Sequence, residues 1–532
     1  MNNIRQKVNY KVGETLKEVM GHKLNYVLLA FLLLTAFFIR AYRAGDLMGF
    51  YFDQGRDAMV VWKLWHEGKL FLIGPVTGLA GIFLGPFYYY LIAPFYLLGG
   101  GDPVYPAVFL AFLSSLAILV LYIMGAKMQS RSAGIIAVFI ATFSYYIFLS
   151  GRWLANPTPL LLTSMLLLWT MWEIAVNKKK YWLWTVVALS IGVSLQFEAA
   201  SAVFYIPMII VFAIWLYAKD VYFYFKRDKN NMHVHSDFVR VALYFLTAIF
   251  VFFLTLLPQF LFNLRHENIL LNNFKRIFIE EKSFRSNFWD VLPIRLKYFW
   301  DVYSSKVYPG WVTYAKLFTI LSALAIGVHF KDLWKNKTLQ VFIIFLGVPM
   351  IGFIFFQGNA GNIYDYYMTG YYLPMILLFA LGLGYIWERD SGKIAIMLFF
   401  ITFFALNGRL VRNYLNDDLK GPAYVSLGNE KMAVDWVYRD AVKFNEFNVD
   451  VYVPPVIPHA YDYLFLWQGT LHCGKSLCGK VDRRTEIVYV LFEQDPPHPE
   501  RLEIWFSKYS DSSVIEEEIR YGGITVQRRR RI

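Results

Sequence analysis

Two aspartates and an arginine stand close together in Tyr51-Phe52-Asp53-Gln54-Gly55-Arg56-Asp57-Ala58. The motif begins about a dozen residues past the first long apolar run, where a chain that has just crossed hydrocarbon returns to water. An acid at such a surface can serve as a metal ligand, a general base or a solvated charge. Apolar neighbours on both sides of Asp53 favour a chemical role, and Asp53 is the candidate base. Arg56 and Asp57 form a pair that can serve the site or the local structure. Arg40 and Arg43 read as headgroup anchors of the first span.

Three further positions fall on the same side of the membrane. Glu198 lies in Gln196-Phe197-Glu198-Ala199-Ala200, between two apolar runs and with no opposite charge beside it, which marks it as a functional candidate. Arg152 and Asn156 follow another run and are candidates to line a cavity. Asp53, Asp57 and Glu198 are the residues that could hold a divalent metal ion; no other cofactor is implied.

The elements that must position these residues are membrane helices. The 532 residues are 57% hydrophobic and 17% charged, against about a quarter charged in ordinary soluble domains. The apolar residues come in blocks of roughly 17–25, the length that crosses a bilayer as a helix. Hydropathy predicts about eleven spans, at 24–40, 104–126, 133–150, 158–176, 181–197, 200–218, 238–261, 311–330, 338–356, 368–387 and 393–409. With the N-terminus inside, each cytoplasmic connection is basic: Lys127/Arg131, Lys178 to Lys180, Lys219 to Lys229, Lys331 to Lys337, and Arg389/Lys393. Residues 1–23 lack a cleavage site, so the first span is expected to be its own insertion signal. The net charge of +13 follows this inside bias, which excludes nucleic acid as a partner.

Outside lie a first long loop, 41–103, and a second, 262–310, whose charges include Arg265, Lys275, Arg276, Glu280, Glu281, Lys282 and Arg285. Residues 56–67 and 86–98 are apolar but short and are expected to be interfacial helices. The expected division is a membrane domain, 1–410, and an extracytoplasmic tail, 411–532. The tail reads as a small α/β domain with strands at 448–453, 486–492 and 523–528 and helices near 430–444 and 499–509. Arg528 to Arg531 reads as a solvated or headgroup-touching end. Cys473 and Cys478 are compatible with one disulfide and equally with two thiols.

Three motifs in order resemble the GT-C glycosyltransferases, family 39, in particular the aminoarabinose-transferase-like members. The family's Asp-Glu-x-Arg-Tyr-Ala stands here as Asp53-Gln54-Gly55-Arg56-Asp57-Ala58. Its Lys-Pro-Pro-Leu-Tyr-Tyr-Trp-Leu stands as Leu84-Gly85-Pro86-Phe87-Tyr88-Tyr89-Tyr90-Leu91, and its Tyr-Leu-Leu-Pro as Tyr371-Tyr372-Leu373-Pro374. The departures are Gln54 for Glu, Leu84 for Lys, and Asn156 for the Asp of a middle motif. The Gln-Gly-Arg-Asp variant is most similar to a galacturonosyltransferase-like branch.

The resemblance implies an all-α polytopic GT-C fold with the small α/β domain outside. It implies transfer of a sugar from a polyprenyl-phosphate donor to a hydroxyl of a glycan, lipid or protein acceptor, at the outer face of the cytoplasmic membrane. Membrane lipids are the other partner. Asp53 would be the general base, and Arg56, Asp57, Arg152, Asn156, Glu198, Tyr88 and Tyr89 would contact substrate. The segment Asn362, Tyr364, Asp365, Tyr366 and Tyr367 suits sugar stacking or an interface belt. The sequence contains no glycine-rich phosphate loop, which fits a lipid-linked donor and argues against an ATP-driven pump. Two other classes remain open to the sequence: a lipid or glycan transporter, and a membrane scaffold whose chemistry has lapsed.

Overall fold

The computed structural model describes residue 18 and residues 20–77, 81–226, 232–276, 288–356, 362–422, 424–454, 457–510 and 512–532. Glu280, Glu281, Lys282 and Arg285 of the second outside loop lie outside the described residues.

Helices occupy all eleven apolar runs. Among the described residues, six are long and apolar enough to cross a bilayer alone: Lys23–Ala41, Val104–Met128, Ala199–Lys219, Thr338–Phe355, Asp365–Trp387 and Asp390–Leu415. Three helix pairs are bent: Arg131–Phe143 with Tyr145–Arg152 (69°), Val241–Thr255 with Leu257–Arg265 (52°), and Phe288–Val307 with Val312–Val328 (94°), the first helix of the last pair falling in the segment expected as the second outside loop. Leu160–Val176 and Leu183–Phe197 are apolar but shorter. The chain is a multi-pass membrane protein. The bends have local causes. Pro258 sits in the first turn of Leu257–Arg265, and Gly310, at φ +77, takes the left-handed conformation that the sharpest bend requires.

The helix Asp365–Trp387 is the most buried of the long six and packs on Arg131–Phe143, Val312–Val328 and Leu160–Val176. Arg40 is fully buried here, and it donates to the Ala36 and Ala141 carbonyls at 3.0 and 2.8 Å. It therefore ties two helices together rather than reaching headgroups. Arg43 likewise turns inward, onto Asp46 (2.9 Å) and the Leu415 and Asp417 carbonyls (3.0 and 2.9 Å).

The short helix Phe87–Leu98 has 12 residues, about 18 Å, against roughly 30 Å of hydrocarbon. It packs beside the motif helix, Phe52–Glu67. The tail adds a four-stranded sheet of order β1-β2-β4-β3, built from β1 (Asn448–Tyr452), β2 (Ile487–Glu493), β3 (Ser513–Tyr521) and β4 (Ile524–Arg531). β1 and β2 are parallel; the other pairs are antiparallel. The edge strand β3 was not expected, because its Glu516-Glu517-Glu518 run hides the alternation. Those same charges explain β4. Arg528 pairs with Asp440, Glu516 and Glu517, and Arg530 with Glu516 and Glu486. The basic run is thus a sheet strand stabilised by cross-strand pairs, not a free end. Cys473 and Cys478 form a disulfide.

The tail and the first outside loop share one core. Phe50, Ala58, Val61, Tyr88 and Ile92 pack in a cluster with Leu427, Val434, Tyr461, Leu464 and Leu491. The contact is made by a second unexpected element, the helix His459–Cys473, which lies on the motif helix. Gly55 permits the approach: a Cβ there would stand 2.3 Å from the backbone of His459 and Ala460. Gly55→Val is therefore expected to cost about 1–3 kcal/mol by overpacking. The result would be a lower Tm in detergent than for a Gly327→Val control, whose glycine faces open space in ordinary helical backbone; equal Tm values would mean that the tail docks loosely.

Candidate functional site

The motif helix begins at Phe52, and Gln54 holds that start. Its side-chain oxygen accepts the Tyr51 backbone N–H at 3.0 Å, so the residue that replaces the family's Glu acts as a cap, and it is buried. Capping fixes the first turn, which carries Asp53, and the turn after it, which carries Arg56 and Asp57.

Arg56 lies between the two carboxylates. Its Nη1 is 2.7 Å from Asp53 Oδ1. Its Nε and Nη2 donate to Asp57 Oδ1 at 2.9 and 2.8 Å, and Tyr89 donates to the same oxygen at 3.1 Å. The Asp57 side chain is 4% exposed and the Asp53 side chain 57%. The two acids thus have different environments. Burial pushes the Asp57 carboxyl up to about 6, and the Arg56 guanidinium and Tyr89 hydroxyl limit the rise. Asp53 keeps one edge on Arg56 and its face open to solvent. A divalent cation bridging Asp53 and Asp57 does not fit this arrangement, because the guanidinium fills the position between them.

Tyr88 is fully buried beside this group with no partner for its hydroxyl. The start of its helix is held by Gln196, whose side-chain oxygen accepts the Phe87 N–H at 3.1 Å while its Nε2 donates to the Thr255 carbonyl at 2.7 Å. Glu198 follows two residues later. It is 6% exposed, accepts the Ala200 N–H at 3.2 Å, and is pushed up to about 7, chiefly by burial and in smaller part by the Asp53 charge. Asn156 donates to the Phe197 carbonyl and so holds the backbone just ahead of Glu198.

A cavity of about 400 Å³ opens against the start of the motif helix, lined by Tyr51, Arg152, Trp153, Asp365, Tyr366 and Tyr372 among others. Arg152 is buried. It donates to the Ile39 and Tyr42 carbonyls at 3.0 and 3.2 Å and lies over the Phe148 and Tyr414 rings at 5.3 and 5.0 Å. Trp153 and Tyr366 meet edge to face at 6.1 Å. Behind the wall stands Lys306, its side chain 2% exposed. Its Nζ bonds both Asp365 oxygens at 3.0 and 2.9 Å and lies 4.4 Å from the Tyr372 ring.

The structure therefore gathers Asp53, Arg56, Asp57, Tyr88 and Tyr89 in one group, sets Glu198 within electrostatic reach of Asp53, and places Arg152 in the adjoining cavity wall. Sequence reasoning missed Lys306, Trp153 and Tyr51. For Lys306 the available signal was one cation among mostly apolar neighbours just before the Gly310 bend.

Two solved structures from Cupriavidus metallidurans share this architecture. ArnT bound to undecaprenyl phosphate superposes with a TM-score of 0.56 at 11% identity, over 94% of this chain and 97% of that one. ArnT in the apo state gives 0.57 at 10% identity over the same shares. The chain has the GT-C fold. Residues 84–225 also match the family described as dolichyl-phosphate-mannose-protein mannosyltransferase. That segment runs from the Leu84-Gly85-Pro86 motif through Arg152, Asn156 and Glu198. Among curated proteins, no sequence matches the chain.

Glu198 makes a prediction about pH. Its folded pKa, about 7, lies above the ordinary 4.5. Any stability tied to its neutral form is present below pH 4.5 and is lost as the pH rises through 7. Glu198→Gln, which cannot ionise, should match the parent near pH 4.5 and exceed it by about 3 kcal/mol at pH 8. Unfolding followed at both pH values in detergent checks this, and parallel stability curves would contradict the assigned burial of charge.

Proposed function

We propose that the chain is a membrane glycosyltransferase that moves a sugar from a polyprenyl phosphate to an acceptor hydroxyl at the outer face of the cytoplasmic membrane. The observation that carries the reading is the Asp53–Arg56–Asp57 group, half open to water, on a helix whose cap residue Tyr51 lines an aromatic cavity in a GT-C fold. A disulfide in the tail, of the kind that persists outside reducing compartments, supports placing the tail and site outside. The basic connections on the other side support the same orientation.

The sugar's anomeric carbon is presented by the lipid phosphate in the cavity, where the aromatic rings Trp153 and Tyr366 offer faces for a pyranose or furanose ring. The acceptor hydroxyl donates its proton to Asp53 as its oxygen attacks that carbon. The bond from the anomeric carbon to the phosphate oxygen breaks, and the lipid phosphate leaves with the electron pair. Arg56 keeps Asp53 aimed, since three of its N–H groups are spent on the two carboxylates. Arg152 and Lys306 are the cations nearest the cavity able to balance the charge that develops on the phosphate. Asp365 neutralises Lys306 in the resting state and so sets how much of that charge the donor meets. Leu84, where the family has Lys, offers no cation, and Arg152 and Lys306 take that part.

An assay with purified protein and sugar-loaded polyprenyl phosphate tests the reading. Asp53→Asn should lower kcat about 10²–10⁴-fold, the range of a lost general base, with donor binding preserved. Arg56→Lys should fall between the two, since an ammonium cannot bridge both acids in the same plane. A variant Asp53→Asn that turned over like the parent would remove Asp53 from its role.

A further inference from the structure

The helix His459–Cys473 does more than close the tail onto the motif helix. Its first residue enters the site. The Phe52 ring lies 5.0 Å from the His459 ring and 5.6 Å from the Arg56 guanidinium, so the imidazole joins a stack that ends at the ion pair holding Asp53. The backbone of His459 and Ala460 presses on Gly55. His459 is therefore located relative to Asp53 by a backbone contact, not by a flexible side chain.

His459 Nδ1 is 3.4 Å from Asp462 Oδ2. With the proton on Nδ1, Nε2 is left as a hydrogen-bond acceptor. The side chains of His459, Asp462 and Asp53 are 35%, 49% and 57% exposed, and none of the three lines the cavity assigned to the donor. Two acceptor groups from different parts of the chain, Asp53 and His459, thus both face solvent and are linked through Phe52 and Arg56.

We propose that the tail forms the acceptor side of the site, and that His459, oriented by Asp462, accepts a hydrogen bond from a second hydroxyl of the acceptor while Asp53 takes the proton of the attacking one. The proposal rests on the transferase reading and extends it to the acceptor's class. Two adjacent hydrogen-bond acceptors suit a carbohydrate, whose hydroxyls are neighbours; a serine or threonine side chain offers a single hydroxyl. His459 is a specificity residue for a glycan-bearing acceptor, and Asp462 a positioning residue for His459.

The test compares the full-length parent with His459→Phe, which keeps the ring stack on Phe52 but has no ring nitrogen, and His459→Gln, which keeps an acceptor atom. Each is supplied to membranes of cells lacking the gene, and the rate of sugar incorporation into envelope glycans is followed by mass spectrometry. Each purified protein is also titrated with undecaprenyl phosphate by native mass spectrometry. The expected result is an about tenfold slower transfer for His459→Phe, the effect of one lost hydrogen bond, with undecaprenyl phosphate binding within twofold of the parent, and recovery to within about threefold for His459→Gln. Parent-like transfer by His459→Phe would overturn the proposal. So would an equal loss of lipid-phosphate binding, which would make His459 structural, or sugar found on protein hydroxyls instead of glycans. A parent that neither changes any glycan nor binds undecaprenyl phosphate would overturn the transferase reading and this proposal with it, a pattern distinct from the others.

Discussion

Much of this structure is arranged around one ion-pair group. Two carboxylates four residues apart on one helix repel each other, and one of them, Asp57, is buried, where a lone charge is costly. Arg56 makes the arrangement tolerable by bonding both. On the buried side Tyr89 adds a third hydrogen bond to Asp57 Oδ1 and Phe52 lies beside the guanidinium. Asp53 then keeps an exposed face while its direction is fixed. A carboxylate that is both aimed and solvated is what a base for an incoming hydroxyl needs.

The supports of that group come from distant parts of the chain. Gln54 caps the helix from within. Gln196 holds the neighbouring helix that brings Tyr89. The tail, more than 400 residues away, covers the motif helix through the Gly55 contact and a common apolar cluster. A membrane helix bundle alone leaves an interfacial helix with one uncovered face, and here the tail's helix covers it. The tail's own sheet is kept by charge as well as by apolar packing, since two of the four consecutive arginines of β4, Arg528 and Arg530, pair with acids on β3 and beside β2.

The membrane helices were legible because an apolar run of crossing length is a strong signal, and each such run holds a helix. Asp53, Arg56 and Asp57 were legible from position: charges where a span ends, at spacings that meet on a helix. The rest depended on geometry that composition does not carry. Lys306 reaches Asp365 across 59 residues only because the chain turns 94° at Gly310. Arg40 looked like a headgroup anchor because it ends a span, yet it is buried, as its bond to Ala141 depends on how the helix Arg131–Phe143 packs. β3 and the helix His459–Cys473 escaped notice for opposite reasons, the first too acidic to look like a strand, the second too mixed in polarity to show one clear face.

The central claim is that a lipid-phosphate headgroup sits in the cavity beside Asp53. A cryo-EM structure of the full chain with undecaprenyl phosphate bound tests it most directly. The account predicts headgroup density among Tyr51, Arg152 and Tyr366, with the prenyl chain leaving toward the bilayer and Asp53 facing the phosphate's open side. A headgroup bound on the opposite face of the membrane, or one separated from Asp53 by packed protein, would contradict it.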